Sequence, residues 1–335
     1  MSETGVRTFT DASGNGFKLA AGRCPLPEAD GSRVLWFLDG AFGLENDICL
    51  GPTMKGLYED QSRNWFFRAE TGGRVVSTCW YVQPEDDPSL GCFGEVYTSP
   101  DCRGRGLAKE LNRMAIEHFE QSGGKLLMLA TGNPVAAKLY ESLGFRPYPK
   151  GFMRRFTPGS EGFLEKYFSA DEVTIRPVRY GDMARAAVLL NEPNPWVSAC
   201  LSAGVFSPNW YCHNRCGSLF APLWRRTKGL WLGMFTQKGA MVGFVTMESL
   251  GAMDAPGHVI LDLFVYPAFT GHAGSLLRKA LDFGRKQGVA SFGACLAEPD
   301  VEKTRIIEQE GFVRRTEITY HIRLATQNLP VGYWQ

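Results

Sequence analysis

The stretch Pro100-Asp101-Cys102-Arg103-Gly104-Arg105-Gly106-Leu107-Ala108 decides how the chain is read. Before it lies Cys92–Thr98, an apolar segment of strand character. After it lies Leu107–Gln121, where Leu107, Leu111, Met114, Ala115 and His118 recur at three- and four-residue spacing and predict a helix with one apolar face. Glycines at a strand–helix junction let the backbone turn tightly and come close to a ligand. The first amides of a helix lack intrahelical partners and sit at the positive end of its dipole, so such a junction suits a pyrophosphate. Arg103 and Arg105 can add charge-assisted bonds. Taken alone, the segment is equally a Gly-rich turn with solvated arginines.

Working outward, Phe17–Ala21 reads as a first strand, Val34–Leu44 as a helix and Met54–Asn64 as a second helix. Trp65–Ala69 and Val75–Val82 read as strands joined around Thr71-Gly72-Gly73. Lys125–Ala130 is a buried strand, Pro134–Ser142 a short helix and Gly151–Phe156 a closing strand. After Thr157–Asp171, a linker holding Pro158-Gly159-Ser160 and a short helix, the pattern restarts. Strands are expected at Val173–Val178, Trp231–Phe235, Met241–Met247, Val259–Val265 and Ala290–Leu296, with Glu317–Leu324 last. Helices are expected around Ala184–Leu190, Gly274–Gln287 and Val301–Glu310. Pro100 and Pro267, and likewise Gly144-Phe145 and Gly311-Phe312, stand 167 positions apart, which marks an internal repeat.

Composition narrows the functions. The 335 residues suit two domains, and the net charge of +1 removes the broad field of a non-specific nucleic-acid binder. The longest apolar runs fall short of the ~20 residues that span a bilayer. Residues 1–16 are polar, lack the pattern of a signal peptide, and read as a flexible leader on a cytoplasmic protein. Nine cysteines, an odd number, point to free thiols. Cys212, His213 and Cys216 lack a visible fourth ligand, so no metal site is expected.

A second block completes the first: Asn133-Pro134, then Ala136-Ala137-Lys138-Leu139-Tyr140-Glu141-Ser142-Leu143-Gly144-Phe145. Together the two blocks resemble the GCN5-related N-acetyltransferase (GNAT) superfamily. Arg103, Gly106 and Ala108 match its pyrophosphate signature; Asn133, Ala136, Tyr140 and Gly144-Phe145 match its second signature. The resemblance covers residues 17–156 and implies an α/β fold of the α+β mixed-sheet kind, with acetyl-CoA or another short acyl-CoA lying where the fourth and fifth strands splay. Those strands would be Cys92–Thr98 and Lys125–Ala130. The cofactor-binding residues it implies are Tyr97, Thr98, Arg103, Gly104, Arg105, Gly106, Leu107, Ala108, Asn133, Ala137 and Tyr140.

Acyl transfer needs fixed donors for the carbonyl oxygen, a group that takes the amine's proton and a group that protonates the departing sulfur. Glu95, on the candidate fourth strand, is the first choice of base; the alternative is a solvated or ion-paired strand residue. The resemblance gives Tyr140 the acid's role, against the alternative of a core aromatic. His118, on a helix, is not expected to be catalytic.

At the 167-residue offset Arg103 becomes Thr270, Gly106 becomes Ala273, Ala108 becomes Ser275, Asn133 becomes Asp300 and Tyr140 becomes Ile307; Gly104 is kept as Gly271. The expected organisation is therefore a flexible N-terminus over 1–16, an active GNAT domain over 17–156, a linker over 157–171 and a degenerate GNAT-like domain over 172–335. The aromatic stretch Asn194–Trp224 either fills a core or lines a pocket or a domain interface. The expected function is transfer of acetyl to a primary amine of a small molecule by direct attack. The alternatives are a non-catalytic acyl-CoA sensor and an acetyltransferase for a peptide or protein amine. A monomer or homodimer is expected, with neither nucleic-acid nor membrane partners. Acceptor contacts are expected within Val34–Asn64, which holds Asp39, Glu45, Asp47 and Glu59.

Overall fold

The computed structural model describes residues 6–43, 45–148, 152–169, 171–200, 204–206, 227–249, 256–323 and 328–335. The chain divides into two compact units, with the boundary after Phe163. Most of the aromatic stretch, and the Cys212, His213 and Cys216 group, lie outside the described residues.

The first unit runs β1 (Arg7–Thr10), β2 (Gly16–Arg23), α1 (Glu28–Phe42), α2 (Glu45–Met54), β3 (Ser62–Thr71), β4 (Arg74–Pro84), β5 (Leu90–Thr98), α3 (Leu107–Gln121), β6 (Leu126–Ala130), α4 (Pro134–Ser142), β7 (Arg146–Tyr148) and β8 (Phe152–Phe156). Its mixed sheet has the order β1-β2-β3-β4-β5-β6-β8-β7. β4 is covered on both faces and reads as a near-continuous apolar run for that reason. The apolar stripe of α3, Leu107, Leu111, Ala115 and Phe119, packs on Leu19, Phe67, Tyr81, Phe93 and Leu127 of the sheet. α4 adds Tyr140 to this core, and Phe145 follows it.

Two expectations for the first unit need correction. Residues 7–16 are not a loose leader: Arg7–Thr10 pairs antiparallel with Gly16–Leu19. Asp11 closes the turn, accepting from the amides of Ser13 and Asn15 and from the Asn15 side chain. The second helix is displaced: it spans Glu45–Met54, and the chain after Gly56 turns into β3 by Ser62. Gly56 has φ 79°, a left-handed conformation that ends a helix where the apolar pattern alone continues.

α5 (Phe163–Tyr167) lies in the expected linker. The second unit then runs β9 (Val173–Pro177), α6 (Met183–Asn191), β10 (Ser198–Cys200), β11 (Gly204–Phe206), β12 (Trp231–Thr236), β13 (Met241–Glu248), β14 (His258–Val265), α7 (Ala273–Lys286), β15 (Ser291–Ala297), α8 (Val301–Gln309), β16 (Arg314–Arg323) and β17 (Asn328–Trp334). Its seven-stranded sheet has the order β16-β17-β15-β14-β13-β12-β9. Read from β9 to β16, this is the order from β2 to β7 in the first sheet. The offset of 167 carries Pro134–Ser142 onto Val301–Gln309 with both ends matched. Glu317–Leu324 is not the last strand, because β17 follows and inserts between β15 and β16. The fold is mixed α/β with two separate mixed sheets.

Candidate active site

In the first unit β5 and β6 pair in parallel from Leu90–Leu126 to Cys92–Met128 and no further. β5 continues to Thr98, so the strands part and leave backbone groups of Phe93–Thr98 facing an opening. On its other edge β5 stays tied to β4, with one irregularity. Thr78 faces Tyr97 and Trp80 faces Gly94, which leaves Glu95 and Val96 opposite Cys79. This is a β-bulge. Glu95 takes φ 53°, a left-handed conformation that costs a non-glycine residue roughly 1–3 kcal/mol. Thr78 Oγ1 donates to the Glu95 carbonyl at 2.8 Å.

Burial pushes the Glu95 carboxyl up to about 7. Tyr140, only 6% exposed, sets its ring edge-on to Phe93 and Phe145. Burial first, then the neighbouring Cys79 and Glu95, hold its phenol well above the ordinary range, so it is a proton donor at neutral pH. Tyr140 of α4 thus feels both Cys79 of β4 and Glu95 of β5.

The loop before α3 opens with a short 3₁₀ turn, Pro100–Cys102. Gly104 and Gly106 follow at φ 75° and 82°, conformations that an L side chain rarely adopts, and the space where a Cβ of Gly104 would lie is open. Gly106 is the N-cap of α3, with no side-chain cap. The helix's first bond runs from Glu110 N to Gly106 O, so the amides of Leu107, Ala108 and Lys109 remain for a ligand. Arg103 donates through Nε to Thr98 O at 3.1 Å and lies over the Tyr97 ring. Tyr97 in turn packs on Phe37 and Phe42 of α1. Arg105 bonds to Asp101 O at 3.1 Å and pairs with Asp11 at 3.5 Å. The N-terminal strand therefore buttresses the loop, with Phe9 beneath Gly106.

Asn133 is largely occupied: its Oδ1 caps α4, accepting from the amides of Val135 (2.9 Å) and Ala136 (3.4 Å), which leaves its amide nitrogen. Ala137 of α4 packs against the core. Thr98 Oγ1 shares a hydrogen bond with Ser77 Oγ at 2.7 Å. His118 shares one with the Tyr81 hydroxyl at 2.5 Å and packs on Trp65, a core position. Sequence reasoning did not single out Ser77, Thr78 or Cys79. The one available signal was three small polar residues in succession within an apolar strand.

The second unit treats the corresponding opening differently. β14 and β15 pair from His258–Ser291 to Leu261–Ala294 and then part. Asp262, the counterpart of Glu95 by offset, meets Lys303 Nζ at 2.6 Å. Lys303, at the position of Ala136, is 0% exposed and also donates to Val197 O at 2.7 Å. Val197 N donates to Asp300 at 2.8 Å, Ser198 Oγ to Asp262, and Asn194 Nδ2 to Val265 O at 2.8 Å. Val197 is wholly buried with Ile260, Cys295 and Ala297. Residues 194–198 are thus hydrogen-bonded to β14 and to the start of α8, and Val197 packs on β15. Burial pushes Asp300 up to about 6, with Lys303 opposing.

Among the described residues no group of three His, Cys, Asp or Glu is placed to hold a metal, and no helix is long and apolar enough to cross a membrane.

Residues 34–145 match the description "Acetyltransferase (GNAT) family". A mycothiol acetyltransferase from Thermobispora bispora is 33% identical over 114 residues, covering 31% of this chain and 39% of its own length. N-acetyltransferase 8 from Rattus norvegicus is 32% identical over 130 residues, covering 36% of this chain and 58% of its own. The chain therefore spans under two thirds of either relative. Among solved structures, an acetyltransferase of the GNAT family from Streptococcus pneumoniae is 14% identical, covering 49% of this chain and 98% of that one at a TM-score of 0.39. Residues 34–145 are thus the part of the chain that matches the GNAT acetyltransferase family.

Proposed function

We propose that the protein is an N-acetyltransferase that moves acetyl from acetyl-CoA to a primary amine of a small molecule by direct attack, with the cofactor held in the N-terminal unit. What supports this reading most is a raised Glu95 on the part of β5 that leaves β6, close enough to Tyr140 to act on it electrostatically, beside a helix start whose first amides lack intrahelical partners. Leu107, Ala108 and Lys109 amides, with Arg103, Arg105, Gly104 and Gly106, suit a pyrophosphate. The parted edge of β5 at Tyr97 and Thr98 suits pantetheine amides. Asn133 and Ala137 would border the same group.

When bound, acetyl-CoA supplies an activated thioester. An alkyl amine of pKa ~10.4 is about one part in a thousand neutral at pH 7, so a base beside it matters. Glu95, pushed up to about 7, is part ionised at neutral pH and accepts that proton. Tyr140, kept protonated, donates to the departing sulfur. Both groups act without a covalent link to the protein.

The C-terminal unit carries no acyl-CoA in this reading. Thr270 and Ala273 replace Arg103 and Gly106, Asp300 adds a carboxylate, and residues 194–198 with Lys303 occupy the place between the parted strands. The test is an amine-library screen for CoA release with the wild type and with E95Q and Y140F. Release by the wild type, lost or sharply reduced in both variants, supports the reading. Wild-type protein that binds acetyl-CoA and acetylates no amine would overturn it.

A further inference from the structure

Most side chains of β4 between Val75 and Val82 are apolar, yet Ser77 and Thr78 are consecutive hydroxyls, each 0% exposed. Buried hydroxyls need partners, and both of these find them on β5. Ser77 reaches the Thr98 side chain on one side of the bulge, and Thr78 reaches the Glu95 carbonyl within it. A bulge sets two residues against one and so leaves backbone groups without a ladder partner. The Glu95 carbonyl lies in the bulge, on a residue already held in a left-handed conformation. A donor at that carbonyl fixes the peptide plane after Glu95, and with it the direction in which the side chain leaves the strand.

We infer that Thr78 is a positioning residue for acetyl transfer, its hydroxyl holding the bulged backbone of Glu95 so that the carboxyl meets the acceptor amine beside Tyr140. This rests on the reading of Glu95 as the base. Thr78 touches neither substrate nor cofactor in this assignment; it acts through Glu95. The Ser77–Thr98 bond anchors the far side of the bulge, and Thr98 O accepts from Arg103, so the same strand segment also meets the cofactor loop.

The test compares T78V, T78S and E95Q in the full chain, reading kcat, KM for acetyl-CoA, the pH profile and Tm. Valine keeps the shape and removes the donor; serine keeps the donor. T78V is expected to lose about tenfold or more in kcat, since small misplacements of reacting groups are costly, with KM for acetyl-CoA little changed. Its ascending pH limb should move from the wild-type position, and T78S should restore both rate and limb. If T78V does not fold, T78A replaces it as the variant without the hydroxyl. Wild-type kcat and pH limb in T78V beside an impaired E95Q would overturn the inference, as would T78S as slow as T78V. An unimpaired E95Q would instead sink the base assignment, and the role of Thr78 with it.

Discussion

Glu95 and Asp262 occupy the same place in the two repeats, 167 positions apart on the strand that parts from its parallel neighbour, and they meet opposite fates. Asp262 is neutralised by Lys303 at 2.6 Å. Glu95 is raised by burial alone, with no cation beside it among the described residues. A paired carboxylate holds structure together; a carboxylate poised near 7 can exchange a proton.

The first consequence is a pH profile. The proposed mechanism requires both the Glu95 carboxylate and the neutral amine, so log kcat/KM should rise with slope two below about 7 and slope one above it. The sign follows from the raised pKa: the active, ionised base is gained as pH rises through that value. In E95Q the profile should have slope one throughout. A wild-type profile of slope one down to pH 5.5 would remove Glu95 as the base.

Replacing Tyr140 by Phe removes the proposed proton donor and keeps the ring that packs on Phe93 and Phe145. Turnover should fall on the order of 10²-fold, the usual scale of a general acid, while acetyl-CoA affinity stays within about threefold. Equal losses in both would make Tyr140 a binding residue only.

Asp11 ties the N-terminal strand to Arg105 of the cofactor loop. The pair is partly exposed and screened by solvent, so D11A should weaken acetyl-CoA binding only modestly, by about two- to fivefold. Titration of the variant at low and high salt checks this. Unaltered affinity at low salt would leave the strand with no part in the loop.

Lys303 is wholly buried between two acids. K303A leaves Asp262 buried without its cation and should destabilise the second unit by about 3–5 kcal/mol. Denaturant unfolding followed by Trp fluorescence measures it. Acetyl-CoA affinity, assigned to the first unit, should be retained; its loss would tie the cofactor to the second.

Local pattern carried much of the fold. The period of Leu107–Gln121 and the Asn133-Pro134 start of Pro134–Ser142 gave both helices their observed limits, because caps and apolar faces are written locally. The repeat was legible because its anchors are prolines and glycines at turns. Features that depend on distant partners were not. Arg7–Thr10 is polar and short, and is a strand because β2 and the Asp11 turn hold it there. The bulge at Glu95 arises from its register with β4, which no window of β5 records. The Lys303–Asp262 pair joins residues from a helix and a strand 41 positions apart. For Asn133 the second signature was visible, while its commitment to capping α4 needed the geometry.

Calorimetric titration with acetyl-CoA, of the wild type and of the R103A/G106D double variant, tests the central claim most directly. One site per chain in the wild type, lost in the variant, is the expected result. Two sites, a site that survives in the variant, or no binding up to about a millimolar would contradict it.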